Sequence, residues 1–297
     1  MPPRFEGVFA ALTTPFVKDK VSPEKFKENI QKYNSFQLAG YVILGSTGES
    51  VFLSDEESER LVQTAMEAAS PEKKILVGTA RESTKATLEF TNRMADFEID
   101  AVLIRAPCYF KSRMDFEVLK NHYLTIADHS KVPLLVYNIP QNTGVVIDVN
   151  LLIELSQHPN IVGMKDSSGN LIDLGEAIPH LNPHFNYLLG AGSAFLPGLF
   201  VGARGGILAL ATVAPSQCIK LYNLFLEKKF DEAHKLQFDL IPLNQAIIKT
   251  YGIPAIKYAL DLLGYYGGLP RPPLLPLGDN GKRDMEDILK KLNLLSD

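Results

Sequence analysis

Cysteine is scarce: the 297 residues hold two, Cys108 and Cys218, far apart in the chain. That excludes a disulfide framework and suits a reducing compartment. Long apolar runs are missing too, and none reaches the roughly 18 residues that a membrane span needs. No basic run interrupts a net charge of −4, which argues against nucleic acid as a partner. The opening Met-Pro-Pro-Arg-Phe-Glu has neither a signal-peptide core nor an Arg/Ser-rich presequence. The expected location is the cytoplasm, or the mitochondrial matrix if a presequence has been removed.

Nucleotide and metal signatures are lacking as well. Gly45-Ser46-Thr47-Gly48-Glu49 is no phosphate P-loop, since the Gly-Lys-Ser/Thr ending is absent. Nor is it a nucleophile elbow, because Leu44 occupies the first glycine position of Gly-x-Ser-x-Gly. Gly190-x-Gly192 is followed by Phe195 where a dinucleotide motif needs its third glycine. The six histidines include one i,i+4 pair, His180 and His184, but Pro183 interrupts any helix between them. No strand end contributes a histidine, so neither a metal nor a cofactor is expected. Cys108 has no partner histidine in sight and reads as a packed thiol.

What is present is a repeating alternation. Hydrophobic residues make up 46% and charged residues 22%, an ordinary globular composition. Short β-rich runs recur at Gly7–Phe16, Gly40–Gly45, Lys74–Thr79, Asp100–Pro107, Pro133–Pro140, Ile161–Ser167, Asn186–Ala191 and Gly205–Leu210. Their starts lie mostly 25 to 34 residues apart, room for a strand, a crossover helix and two loops. Ser22-Pro23-Glu24 reads as an N-cap with a first-turn proline, and Ser54-Asp55-Glu56-Glu57 as a capping box. Eight apolar, non-alternating strands of this kind predict one (β/α)8 TIM barrel over residues 1–228. After Lys228 only helices follow, roughly Phe230–Tyr251, Ile253–Leu263 and Asp284–Leu294, with a Pro/Gly-rich turn at Gly264–Pro276. Residues 229–297 therefore read as a C-terminal helical extension packed on the barrel.

A barrel gathers its chemistry where the strands end. Lys165 is the residue that stands out there, closing the run Ile161-Val162-Gly163-Met164. A strand buried on both faces gives an ammonium no water and no carboxylate except Asp166, which points the opposite way. Burial disfavours the charged form and leaves a neutral amine, a nucleophile for ketones. Tyr137 ends the neighbouring strand, roughly 4.8 Å away, where a phenol can shuttle protons beside that amine. Gly45-Ser46-Thr47-Gly48-Glu49 offers a tight turn whose hydroxyls and N–H groups suit a carboxylate.

Three blocks carry a family likeness: Gly45-Ser46-Thr47-Gly48-Glu49, Tyr137-Asn138-Ile139-Pro140 and Lys165-Asp166-Ser167-Ser168-Gly169. With them the chain resembles, over essentially its full length, the pyruvate-dependent class I aldolases of the dihydrodipicolinate synthase and N-acetylneuraminate lyase superfamily. The resemblance implies that Lys165 forms a Schiff base with a 2-oxo acid, that Tyr137 relays protons, and that Ser46 and Thr47 bind the C1 carboxylate. It implies further that Tyr109 reaches a neighbouring subunit's site in a homotetramer built as a dimer of dimers. Ser167, Gly192 and Ser193 match positions lining the distal pocket, and Ile207 a backbone contact on the last strand.

One departure bears on the substrate. Dihydrodipicolinate synthases usually carry an arginine in the loop after the Tyr-Asn-x-Pro strand, where Asn142 stands here. Losing that bidentate partner should disfavour a second substrate carrying a carboxylate at that point. Other stretches, such as Pro107-Cys108-Tyr109, look closest to 4-hydroxy-2-oxoglutarate aldolase, although Phe110 replaces a tyrosine expected in its closest members. The resemblance thus implies a lyase cleaving 4-hydroxy-2-oxoglutarate to pyruvate and glyoxylate. The alternative is dihydrodipicolinate synthase, joining pyruvate and aspartate semialdehyde, or another 2-oxo acid lyase or dehydratase.

Overall fold

A computed structural model describes residues 3–295. Its eight barrel strands are β1 (Gly7–Ala11), β2 (Gly40–Ile43), β3 (Lys74–Gly78), β4 (Ala101–Arg105), β5 (Leu134–Asn138), β6 (Ile161–Asp166), β7 (Asn186–Leu189) and β8 (Gly205–Leu208). They form a closed barrel in sequence order, and the pairings run parallel. The fold is the expected (β/α)8 barrel with C-terminal helices. Every residue of β5 and β6 is buried, which is why these strands are apolar without alternation.

Two compact units make up the chain. One spans Ile75–Gly206 with the described residues up to Gly7, and the other joins Val8–Lys74 to the described residues from Ile207 onward. The first holds β3 to β7 and their helices, among them α3 (Thr84–Ala95) and α4 (Phe116–His129), capped by Ser83 and Asp115. The second holds β1, β2, α1 (Pro23–Tyr33), α2 (Asp55–Ala68) and the C-terminal helices. Both expected helix starts are there. Ser22 Oγ accepts from Lys25 N–H ahead of Pro23, and Ser54 and Glu57 complete a reciprocal capping box. Among the described residues no helix is long and apolar enough to cross a membrane.

Element ends differ from expectation. The first strand stops at Ala11, and Phe16–Val17 instead pairs antiparallel with Lys20–Val21, turned by left-handed Lys18 and Asp19. The long C-terminal helix leaves α geometry at Gln245 for a π turn over Ala246–Thr250, three residues after Pro242 removes a backbone donor. The last helix begins at Asp279 instead of Asp284. Its Gly281, poor for helix propensity, is buried where a Cβ would meet Leu277 Cδ1 at 2.5 Å. Close packing wins over propensity there.

His122 is a buried basic group with a pH signature. It is 4% exposed on α4, its Nδ1 lies 2.8 Å from Thr84 Oγ1, and its Nε2 has no hydrogen-bond partner among the described residues. Burial pushes the imidazole down to about 4, against the weaker pull of the Glu82 charge. The unfolded chain takes up this proton near its ordinary value, and the folded chain does so only near pH 4. Stability should therefore fall as pH drops from about 6.5 to 4 and level off below, a loss on the order of 3 kcal/mol. Urea unfolding at pH 7, 5 and 4 checks this, and His122→Gln should flatten that limb of the profile.

Candidate active site

The register of two strands creates the central pair. Parallel β5 and β6 align Tyr137 with Lys165 and Asn138 with Asp166. Successive side chains leave a strand on opposite faces, so each aligned pair occupies one face. Lys165 is 4% and Tyr137 5% exposed, with the amine 4.3 Å from the centre of the phenol ring. Among the described residues neither the Lys165 Nζ nor the Tyr137 hydroxyl makes a hydrogen bond, and no carboxylate pairs with the amine. Ring-face contact is a weak substitute for hydration. A primary amine held in this way can add to the carbonyl of a bound substrate.

Asp166 explains why the adjacent charge does not quench that amine. Its carboxylate, 3% exposed, takes four neutral donors: Asn138 Nδ2 at 2.8 Å, Ser168 N at 3.0 Å, Ser168 Oγ at 2.8 Å and the Tyr187 hydroxyl at 2.9 Å. Tyr187 is held far above its ordinary range by burial and by the carboxylate it donates to. Asn138 extends the network by accepting from Ile147 N–H at 3.1 Å. Ser167, half-buried, follows directly, its N–H donating to Asn138 O at 2.9 Å. Gly190 supplies space: a Cβ there would lie 2.0 Å from Ser167 Oγ and 3.1 Å from Lys165 Cε.

Other expected residues of the same unit occupy its loops. Gly192 is buried and Ser193 half-buried in a short turn ahead of the helix Phe195–Val201. Asn142 is exposed in the one-turn helix Pro140–Thr143, closed by Gly144 at φ 65°. Tyr109 stands 80% exposed and edge-on to Phe110, ring centres 5.0 Å apart. Its loop is tied down by Glu82, whose carboxylate accepts from Cys108 N and Tyr109 N and pairs with Arg105 at 2.9 Å. Cys108 is therefore not a packed thiol in apolar surroundings. Its Sγ lies 3.5 Å from Glu82 and 3.6 Å from Arg105, and burial raises the thiol above its ordinary value.

Three expected residues belong to the other unit. Ser46 and Thr47 open a 3-10 turn directly after β2, and Ile207 is fully buried on β8. Two bonds close the turn, Gly48 N to Gly45 O and Glu49 N to Ser46 O. The N–H groups and hydroxyls of Ser46 and Thr47 make no hydrogen bond among the described residues. Four donors left unspent on a half-buried turn suit a carboxylate. Beside it is a feature that reading by motif missed, a buried ion pair between Glu49 and Lys257 at 2.7 Å. Its one sequence signal is a lysine inside the apolar run Ile253–Leu262.

Comparison with known proteins places these observations among relatives. The model of the dihydrodipicolinate synthetase family matches residues 4–292. The 4-hydroxy-tetrahydrodipicolinate synthase of Methanosarcina barkeri is 34% identical over 294 residues, 98% of this chain and 99% of its own. That of Methanopyrus kandleri is 32% identical over 98% of each chain. The crystal structure of dihydrodipicolinate synthase from Aquifex aeolicus superposes with a TM-score of 0.93 at 29% identity, covering 99% of this chain and 100% of that one. A chloride-inhibited dihydrodipicolinate synthase from Acinetobacter baumannii complexed with pyruvate gives 0.92 at 28% identity, over 98% and 99%.

The packing at Gly190 is directly testable. Gly190→Ala should cost roughly 1–3 kcal/mol by overpacking, read as a lower urea midpoint at unchanged slope. Ser167→Gly in the same chain should recover part of that loss, because it removes the atoms the new methyl meets.

Proposed function

Because the chain belongs to the dihydrodipicolinate synthetase family, and is thus a Schiff-base-forming carbon–carbon lyase, we propose that Lys165 is its covalent nucleophile and Tyr137 its proton relay. One observation carries the assignment: a buried amine against a buried phenol, with no ion pair to hold it charged. Lys165 adds to the C2 ketone of a 2-oxo acid, and loss of water leaves an iminium that acts as electron sink. Tyr137 passes protons to the carbinolamine and to the substrate oxygen. Ser46 and Thr47 take the C1 carboxylate with their unspent donors. Ser167, Gly192, Ser193 and Asn142 line the distal pocket, and Ile207 contributes a backbone contact. A relative complexed with pyruvate supports the 2-oxo acid class.

Two reactions use that iminium. Synthesis joins the enamine carbon of pyruvate to the aldehyde of aspartate semialdehyde, and the names of the full-length relatives support it best. The second is cleavage of 4-hydroxy-2-oxoglutarate. There the C4 hydroxyl gives up its proton, the C3–C4 bond breaks and glyoxylate leaves. The enamine is then protonated and hydrolysed to pyruvate. Asn142 is the observation that weighs against synthesis, since an amide replaces the guanidinium expected to grip the semialdehyde's carboxylate. We further propose a homotetramer, a dimer of dimers, in which each exposed Tyr109 enters a neighbour's site.

Borohydride added with pyruvate should attach one adduct per chain at Lys165, and Lys165→Ala should neither label nor turn over. Tyr137→Phe should still label but lose roughly 100-fold or more in kcat, the usual worth of a positioned proton relay. Turnover that persists in Lys165→Ala overturns the assignment. A panel setting 4-hydroxy-2-oxoglutarate against pyruvate plus aspartate semialdehyde separates the two reactions. Asn142→Arg should move kcat/KM toward the semialdehyde if cleavage is the native reaction.

A further inference from the structure

Lys257 is the second deeply buried lysine, and the chemistry proposed above leaves it unused. It is 0% exposed on the helix Ile253–Leu262. Its ammonium meets Glu49 Oε1 at 2.7 Å, donates to Thr14 O at 2.8 Å and to Leu269 O at 3.0 Å, and lies 4.4 Å from the centre of the Phe16 ring. The ammonium thus has an ion pair and two hydrogen bonds, a structural environment unlike that of Lys165. Glu49 is equally buried, and its other oxygen accepts from Arg271 N–H at 2.8 Å.

These contacts close a ring around the turn that follows β2. Thr14 Oγ1 donates to Gly48 O at 2.6 Å, Glu49 follows Gly48, Lys257 holds Glu49, and Lys257 returns to Thr14 O. Arg271 secures the next stretch by pairing with Glu57, the capping residue of α2, and by donating to Phe52 O at 2.9 Å. The C-terminal segment from Lys257 to Arg271 therefore grips both the turn and the start of the helix behind it.

Stability alone is a poor reason for this pair. Burying two charges costs about what their attraction returns, and apolar residues of similar volume often serve as well. Glu49 also sits at φ 56°, a left-handed conformation that glycine adopts without cost. A strained glutamate is kept where its carboxylate can reach Lys257. We propose that Glu49 and Lys257 are positioning residues that hold Ser46 and Thr47 in the shape that grips the substrate carboxylate. The assignment rests on the reading of that turn given above.

The test splits KM from kcat. Glu49→Gln/Lys257→Met removes both charges together and so leaves no lone buried ion. We expect it to fold, to raise KM for the 2-oxo acid roughly tenfold, about one charge-assisted hydrogen bond, and to keep kcat within about threefold. Borohydride should still trap pyruvate on Lys165 at saturation. Ser46→Ala/Thr47→Val is the reference and should raise KM likewise. A folded double variant with unchanged KM, beside a reference variant with raised KM, overturns the positioning role alone. If the reference variant also binds normally, the carboxylate reading fails and the positioning role with it. Should the double variant not fold, Glu49→Gln alone, which weakens the pair while Lys257 keeps its two carbonyl acceptors, carries the same test. Raised KM at retained kcat supports the role, and unchanged KM overturns it.

Discussion

The site depends on a carboxylate that is prevented from pairing with its neighbour. Lys165 and Asp166 are adjacent and both nearly fully buried. An ammonium and a carboxylate at contact distance in a protein interior attract strongly. Strand geometry keeps them apart, because consecutive side chains leave β6 on opposite faces. The network from Asn138, Ser168 and Tyr187 then meets every demand of the carboxylate with neutral donors. The amine is left with the Tyr137 ring and no counter-charge. Period-two alternation thus does two things at once, spending the acid on one face and freeing the base on the other.

Much of this was legible before any coordinates. Strands buried on both faces announce themselves as apolar runs without alternation, and helix starts by the short-range chemistry of Ser22 and Ser54. The strand ends were less legible, for a physical reason. Leu12, Thr13 and Thr14 remain β-favouring, but the strand stops at Ala11 and the chain turns into a local ribbon. Where a strand stops depends on which neighbour is still alongside, and that is not a local property. The same holds for Gly281, whose place inside a helix follows from Leu277 packing onto it.

At the site, residues carried by strand ends were the readable ones. Lys165 and Tyr137 could be aligned because adjacent strands and a parallel register fix who faces whom. Contacts closed by loops and distant helices could not. Glu82 reaches the Tyr109 loop across 27 positions, and Lys257 reaches Thr14 across 243. Neither belongs to a motif; Glu82 reads, in sequence, as surface, and Lys257 is marked only by its place in an apolar run. Cys108 was misjudged for the same reason, since its environment is set by an ion pair formed from outside its own segment.

The two buried lysines show how partners, rather than burial, decide what a charged group is for. Lys165 and Lys257 are 4% and 0% exposed, and each lies a little over 4 Å from the centre of an aromatic ring. Lys257 has a carboxylate and two carbonyls around it, and the role proposed for it is mechanical. Lys165 has none of these among the described residues, and the role proposed for it is chemical. The unspent donors of Ser46 and Thr47 and the unpartnered Tyr137 hydroxyl share that lack of partners among the described residues. In the proposed reading, a 2-oxo acid supplies the contacts that these groups lack.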